Sequence, residues 1–148
     1  MGASALIFKG TIMPNTQAIG VAYSDPEFTT CYASQEIGYS SAAQGTVTQA
    51  TDKSTGVTLN KSAGRITMNN AALAGGAVVS FILTNSLIST NDTLIVNVSS
   101  NTTGSTAGAY TTYVSYLSAG SALITLRNLS ATSYSEAVII NFAIILGA

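Results

Sequence analysis

The closing segment of this chain, residues 135–148, is apolar on both faces when it is extended. A strand points alternate side chains to opposite sides. Val138, Ile140, Phe142, Ile144 and Leu146 then share one face, and Ala137, Ile139, Asn141, Ala143 and Ile145 share the other. The run is β-branched and far short of the ~20 apolar residues that a membrane helix needs, so it predicts a strand. A sheet with one wet face would make only one of these rows apolar. Both rows need cover here. The simplest supplier of the second cover is another copy of the same chain, which points to an assembly protein.

Composition sharpens that expectation. Charged residues make up only 7% of the 148 residues, against roughly 25% in ordinary globular chains. Ser, Thr, Asn and Gly stand where Lys and Glu usually do. Such a surface hydrogen-bonds water without charge and favours pleated sheet over helix. The length suits one domain, with room for an arm. The net charge is -1, and Lys9, Lys53, Lys61, Arg65 and Arg127 are scattered. Phosphate neutralisation needs clustered cations, so nucleic acid is not the expected partner. No membrane span and no secretory signal are expected, since Lys9 follows the short apolar piece Ala5–Phe8 rather than preceding it. Without a secretory route, the triplets at Asn60, Asn91, Asn97, Asn101 and Asn128 do not predict glycosylation. Cys31 is the only cysteine, and it is read as a small buried residue.

The chain divides near residue 45. Both prolines, Pro14 and Pro26, and Cys31 fall in the first part, which is read as an arm, residues 1–45, with one or two strands. From Thr46 the pattern becomes regular. Strands are predicted over 46–49, 57–60, 65–68, 78–84, 93–99, 110–117, 122–129 and 137–146, with Ala71–Ala74 as a possible helical turn. Leu94, Val96 and Val98 share a face, as do Val79, Phe81 and Leu83, while Ile124 and Leu126 face in with Thr125 and Arg127 outward. Eight short strands separated by turns about every ten residues predict an antiparallel β-sandwich of jelly-roll type over residues 46–148.

Catalytic patterns fail one by one. Serine-type catalysis needs a base, and the chain has no His. Lys61 and Ser62 are strand neighbours that point to opposite faces. Glycoside cleavage needs two facing carboxylates. Asp25, Glu27, Glu36, Asp52, Asp92 and Glu136 each have a local structural role available, with Asp52–Lys53 in a polar loop and Glu136 near a strand end or beside Arg127. One Cys and no His exclude a zinc site, and no Asp-rich loop offers calcium its oxygens. No metal, cofactor or catalytic residue is therefore expected. The strongest binding signal is the tyrosine group Tyr110, Tyr113, Tyr116 and Tyr134. Tyrosines fill interfaces and also bind sugars. Strict alternation puts Tyr110 and Tyr116 on one face and Tyr113 on the other, which argues against a single flat platform and leaves a core or interface role.

Several segments resemble a known family. These are residues 45–60 (GTVTQATDKSTGVTLN), 64–73 (GRITMNNAAL), 124–130 (ITLRNLS) and 135–143 (SEAVIINFA). They are similar to segments of tailed-bacteriophage virion structural proteins, including capsid decoration (cement) proteins and trimeric β modules of tails and fibres. The resemblance covers roughly residues 45–146 and not the arm. It implies a small β-sandwich that assembles as a homotrimer, without catalytic residues. For this chain the expectation is a capsid decoration protein on the outer capsid surface of a virion assembled in the host cytoplasm, with the major capsid protein as partner. The expected subunit contact is Ile139, Asn141, Ala143 and Ile145, together with Tyr113. The expected coat-protein contact is Leu6, Phe8, Ile12, Tyr23 and Phe28 in the arm. The alternative is a receptor- or glycan-binding knob that uses the tyrosine hairpin.

Overall fold

The computed structural model of the chain describes Thr30, residues 32–101 and residues 106–147. The arm positions Leu6, Phe8, Ile12, Tyr23, Phe28 and Cys31 lie outside the described residues. The chain divides into two units, Met1–Ile37 and Gly38–Ala148, and the strands described below all lie in the second.

Eight strands follow one another: β1 (Gln44–Thr48), β2 (Val57–Thr58), β3 (Ala63–Thr67), β4 (Val78–Thr84), β5 (Thr93–Asn101), β6 (Tyr110–Ser118), β7 (Ser121–Asn128) and β8 (Val138–Ile145). Helix among the described residues is limited to two 3-10 turns, Ser41–Ala43 and Ala107–Ala109. Each segment with a predicted alternation became a strand. The Ala71–Ala74 turn did not form; Leu73 instead makes an isolated bridge to Tyr134. Gln44 and Gly45, expected at the end of the arm, are in β1.

The strands form two four-stranded sheets, ordered β1-β3-β8-β5 and β2-β4-β7-β6. Their inner faces share one core, consistent with a β-sandwich. Ile66, Val138, Ile140, Phe142 and Ile144 come from the first sheet and Phe81, Leu83, Ile124 and Leu126 from the second. The expectation of an antiparallel sandwich needs correction. β1 runs parallel to β3, and β2 parallel to β4, so both sheets are mixed. A jelly roll is antiparallel throughout. The parallel pairs arise because β1 and β3 lie in one sheet while β2, between them in sequence, lies in the other. A parallel neighbour requires such a crossover.

β8 is flanked by β3 and β5 on its two edges. Its inward row Val138, Ile140, Phe142 and Ile144 is buried. Leu146, expected to continue that row, lies beyond the strand end and is 76% exposed. The Phe142 ring has room because the pairing register sets Gly45 opposite Gly64 and Gly64 opposite Phe142. A Cβ on Gly64 would sit 2.6 Å from Leu59 Cδ2 and 2.7 Å from Phe142 Cε1. The two glycines leave the volume that these larger side chains fill.

Two bulges change the phase of the long strands. The register slips between Val98 and Ser100 in β5 and between Val114 and Tyr116 in β6, leaving Ser99 and Ser115 as the extra residues. A bulged residue restarts the in–out alternation. At the two ends of the β4–β7 pair, buried asparagines hold the loops. Asn128 Nδ2 donates to Leu73 O at 3.0 Å and Thr132 O at 2.8 Å, and Asn128 Oδ1 accepts from Ser130 N at 3.0 Å. Asn85 Nδ2 donates to Lys61 O at 2.8 Å. A buried backbone carbonyl left unpaired is costly, so these amides stabilise loops that no ladder reaches.

Gly75 lies against the backbone of the β7–β8 connection, where an added Cβ would come 2.3 Å from the Ala131 carbonyl carbon. Backbone cannot step aside as a side-chain tip can. Gly75→Ala is therefore expected to lower the stability of the chain by about 1–3 kcal/mol, the range of overpacked sites. Urea denaturation followed by tyrosine fluorescence measures this.

Candidate functional surfaces

The outer face of the β2-β4-β7-β6 sheet carries the tyrosines. Register places Val78, Arg127 and Thr111 in one cross-strand row, Ser80, Thr125 and Tyr113 in the next, and Ile82, Leu123 and Tyr116 in a third. The Ser115 bulge decides the last two rows. Tyr113 pairs with Thr125 before it and Tyr116 with Leu123 after it, so both tyrosines stand on the outer face. This corrects the strict-alternation reading, which put them on opposite faces. Tyr110 does not join them. It is buried in the core, edge-to-face with Tyr134 at a centroid distance of 6.3 Å. Val78, Ile82, Tyr113 and Tyr116 are all exposed, Tyr116 at 67%. Thr125 stands in the outer row as expected, yet it is buried within this face. Its hydroxyl bonds Ser80 Oγ at 2.8 Å and also Ser115 Oγ, while Thr112 Oγ1 donates to its carbonyl at 3.0 Å.

The outer face of the other sheet has a different chemistry. Ile139, the leading residue of the expected subunit contact, is only 6% exposed and is buried within its own chain. That removes it from any contact set, and a charge there would disturb the fold itself. Asn141 and Ile145 are exposed and Ala143 is half-buried. Register aligns Thr46, Arg65, Asn141 and Asn97 into one polar row across all four strands. A shallow cleft of about 640 Å³ lies over part of that row, lined by Tyr39, Gln44, Thr46, Arg65, Asn141 and neighbouring backbone. Tyr39 is anchored there by its hydroxyl, which donates to the Ile144 carbonyl, and by its own carbonyl, which accepts from Gln44 Nε2 at 2.8 Å.

A buried polar cluster was missed by sequence reasoning, which placed Lys53 in a polar loop and Glu136 at an edge or beside Arg127. Lys53 is 3% exposed, and its ammonium donates to Asn69 O at 2.5 Å and Glu136 O at 2.6 Å. Glu136 is also buried; Thr106 Oγ1 donates to its carboxylate, with the Oε2 contact at 2.5 Å, and Asn101 Nδ2 donates to Thr106 Oγ1 at 2.7 Å. Burial lowers the Lys53 pKa, and the negative charge of Glu136 partly restores it. Burial raises the Tyr110 pKa above its ordinary value, with the Glu136 carboxylate adding to the rise. Tyr110 Oη is itself buried and makes no hydrogen bond of normal geometry among the described residues. No sequence signal pointed to this cluster, because a single Lys in a Ser/Thr-rich loop ordinarily faces water.

Two acidic groups fasten turns. Asp52 accepts from Ser54 N at 2.8 Å and Ser54 Oγ at 2.7 Å. Asp92 accepts from Ser89 N at 2.8 Å and from Gly147 N at 3.0 Å, tying the chain after β8 to the β4–β5 turn. Among the described residues no group of three or more His, Cys, Asp or Glu side chains is placed to hold a metal ion, and no helix is long and apolar enough to cross a membrane. Comparisons with protein-family models, with curated proteins and with solved structures gave no match.

The buried cluster sets an alkaline pH dependence with two opposed parts. Lys53 loses its proton more readily folded than unfolded, so its effect strengthens folding as pH rises toward the ordinary lysine value of 10.5. Tyr110 holds its proton more tightly when folded, so its effect weakens folding once pH passes the ordinary tyrosine value of 10.0. Tyr110→Phe is expected to abolish that second, falling limb in thermal melts recorded across the alkaline range. Lys53→Met is expected to remove the rising limb and to destabilise the chain at pH 7 by about 1–3 kcal/mol, because the Asn69 and Glu136 carbonyls lose their donor.

Proposed function

We propose that this chain is a non-enzymatic, self-assembling virion protein: a capsid decoration module that forms trimers and ties neighbouring coat subunits together. The observation that carries the reading is the outer face of β4, β7 and β6. Val78, Ile82, Tyr113 and Tyr116 are exposed there around Leu123, and Arg127 is the only charge in the three rows. Depletion of charge with enrichment of tyrosine and aliphatic side chains is the composition of an interface core. The subunit contact moves from the expected β8 face to this one, which keeps Tyr113 and leaves Ile139 out. The resemblance of residues 45–146 to phage virion proteins supports the threefold assembly and the capsid surface. The arm residues Leu6, Phe8, Ile12, Tyr23 and Phe28 supply the coat-protein contact in this reading. Its mechanism is binding energy spread over several partners, with no covalent step.

A second reading is favoured by one specific observation: the Ser115 bulge gathers Tyr113 and Tyr116 on one face, where aromatic rings stack on neutral sugars. In that case the module is a receptor-binding knob of a tail or head fibre.

Light scattering on the full chain separates these readings. Assembly predicts a mass three times the 15.0 kDa chain, and Ile82→Lys is expected to give monomers that keep the native circular-dichroism spectrum but melt lower than the trimer, because association stabilises the folded state. A native chain that is monomeric at micromolar concentration would sink the assembly reading. Glycan binding lost in Tyr113→Ala would favour the knob. Within the assembly reading, Phe8→Asp is expected to leave trimers intact while abolishing their retention on capsids.

A further inference from the structure

We propose that the cleft over β1, β3 and β8 binds a carboxylate-bearing saccharide, such as a uronic-acid oligomer. The argument starts from the polar row of that sheet. Thr46, Arg65, Asn141 and Asn97 stand side by side on four neighbouring strands, one per strand. Among the described residues the Arg65 guanidinium has no ion pair and no hydrogen bond, and the Thr46, Asn97 and Asn141 side chains have no hydrogen bond either. Gln49, Lys53, Asn85, Asp92 and Asn128, which are buried, are all engaged. The row differs from other exposed polar side chains in its order: four groups aligned across four strands, part of them lining a cleft.

The types of group in the cleft select the ligand. Among the described residues that line it, Arg65 is the only charged side chain. A guanidinium presents a planar fork that matches a carboxylate in two parallel hydrogen bonds. The Asn141 amide offers both a donor and an acceptor, which suits a pair of sugar hydroxyls, and Thr46 and the free part of Gln44 add further partners. Tyr39, tethered through its hydroxyl and its carbonyl, lines the same cleft and offers an apolar ring to a sugar face. Lys61 lies beside Gly45 at the cleft, and its ammonium donates to the Ala42 carbonyl at 2.9 Å, whereas Arg65 has no partner among the described residues. Simple inorganic anions would use Arg65 alone and leave the amides and the ring idle. An acidic peptide would satisfy Arg65 but lacks the adjacent hydroxyls that the amide row matches. The site lies on the opposite sheet from the tyrosine face, so it stands whether or not the chain forms trimers.

Isothermal titration of the full-length chain with a hexagalacturonate tests this, with maltohexaose and hexaglutamate as the comparison ligands at the same salt. The expected result is binding of the acidic saccharide and none of the neutral one. Arg65→Met should weaken that binding by roughly tenfold to a hundredfold, the size of a charge-assisted pair. Arg65→Lys should recover only part of it, because the point charge lacks the fork. Asn141→Ala should weaken it further, whereas Tyr116→Ala on the other sheet should leave it unchanged. Arg65 and Asn141 are exposed, so melting curves of these variants should match the native chain. Equal affinity for maltohexaose, tighter binding of hexaglutamate, undiminished binding by Arg65→Met, or no heat with hexagalacturonate would each overturn the proposal. The light-scattering mass is a separate readout, so failure here and failure of the assembly reading are distinguishable.

Discussion

Everything else in the sandwich leans on the inward row of β8. Val138, Ile140, Phe142 and Ile144 are buried between β3 and β5 on one side and the inner face of the second sheet on the other. Burying aliphatic and aromatic side chains of this size contributes about 1.5–3 kcal/mol each before conformational entropy is subtracted. No other strand among the described residues both fills the core with four large side chains and pairs along both edges of its own sheet for most of its length. Gly64 opens the space into which Phe142 and Leu59 pack, and Gly45 opens the space beside Leu59 and Lys61.

With so few charges, the chain fastens its periphery by other means. Amides and hydroxyls take the place of surface ion pairs. Asn85, Asn128 and Gln49 satisfy loop backbone groups, Asp92 and Asp52 close turns, and Lys53 is drawn inside to two carbonyls beside Glu136. Exposed ion pairs contribute little in water, whereas a buried carbonyl without a donor is a direct loss. Placing the limited polar capital of the chain at buried loop ends is therefore physically sensible. It also leaves each described sheet face with a single charged side chain, Arg65 on one and Arg127 on the other.

Those two faces differ in a way that bears on function. One joins exposed aliphatic and tyrosine side chains around Leu123, with Arg127 as its sole charge, and suits a protein partner such as another copy. The other sets one arginine in a row of unengaged amides and hydroxyls, and suits a polar, carboxylate-bearing ligand. An assembly protein with a second, recognition-type surface is chemically consistent, because neither surface borrows residues from the other.

The positions of the strands were legible in the sequence because alternation is a local property. Val79, Phe81 and Leu83, or Leu94, Val96 and Val98, reveal their buried face within a few residues. The apolar excess of the last strand was equally plain. What the sequence alone could not convey was pairing. The bulges at Ser99 and Ser115 depend on which residue lies across the ladder, so the common face of Tyr113 and Tyr116 was invisible to strict alternation. The same holds for the parallel pairs, for the burial of Ile139, and for the alignment of Thr46, Arg65, Asn141 and Asn97 from segments nearly a hundred residues apart in the chain. Lys53 and Glu136 met only when the fold closed over them. The sequence by itself determined that this chain makes strands, that its final strand is apolar on both faces, and that charge chemistry is scarce. Tertiary structure alone decided which side chains share a surface, because that depends on register across the sheets rather than on order along the chain.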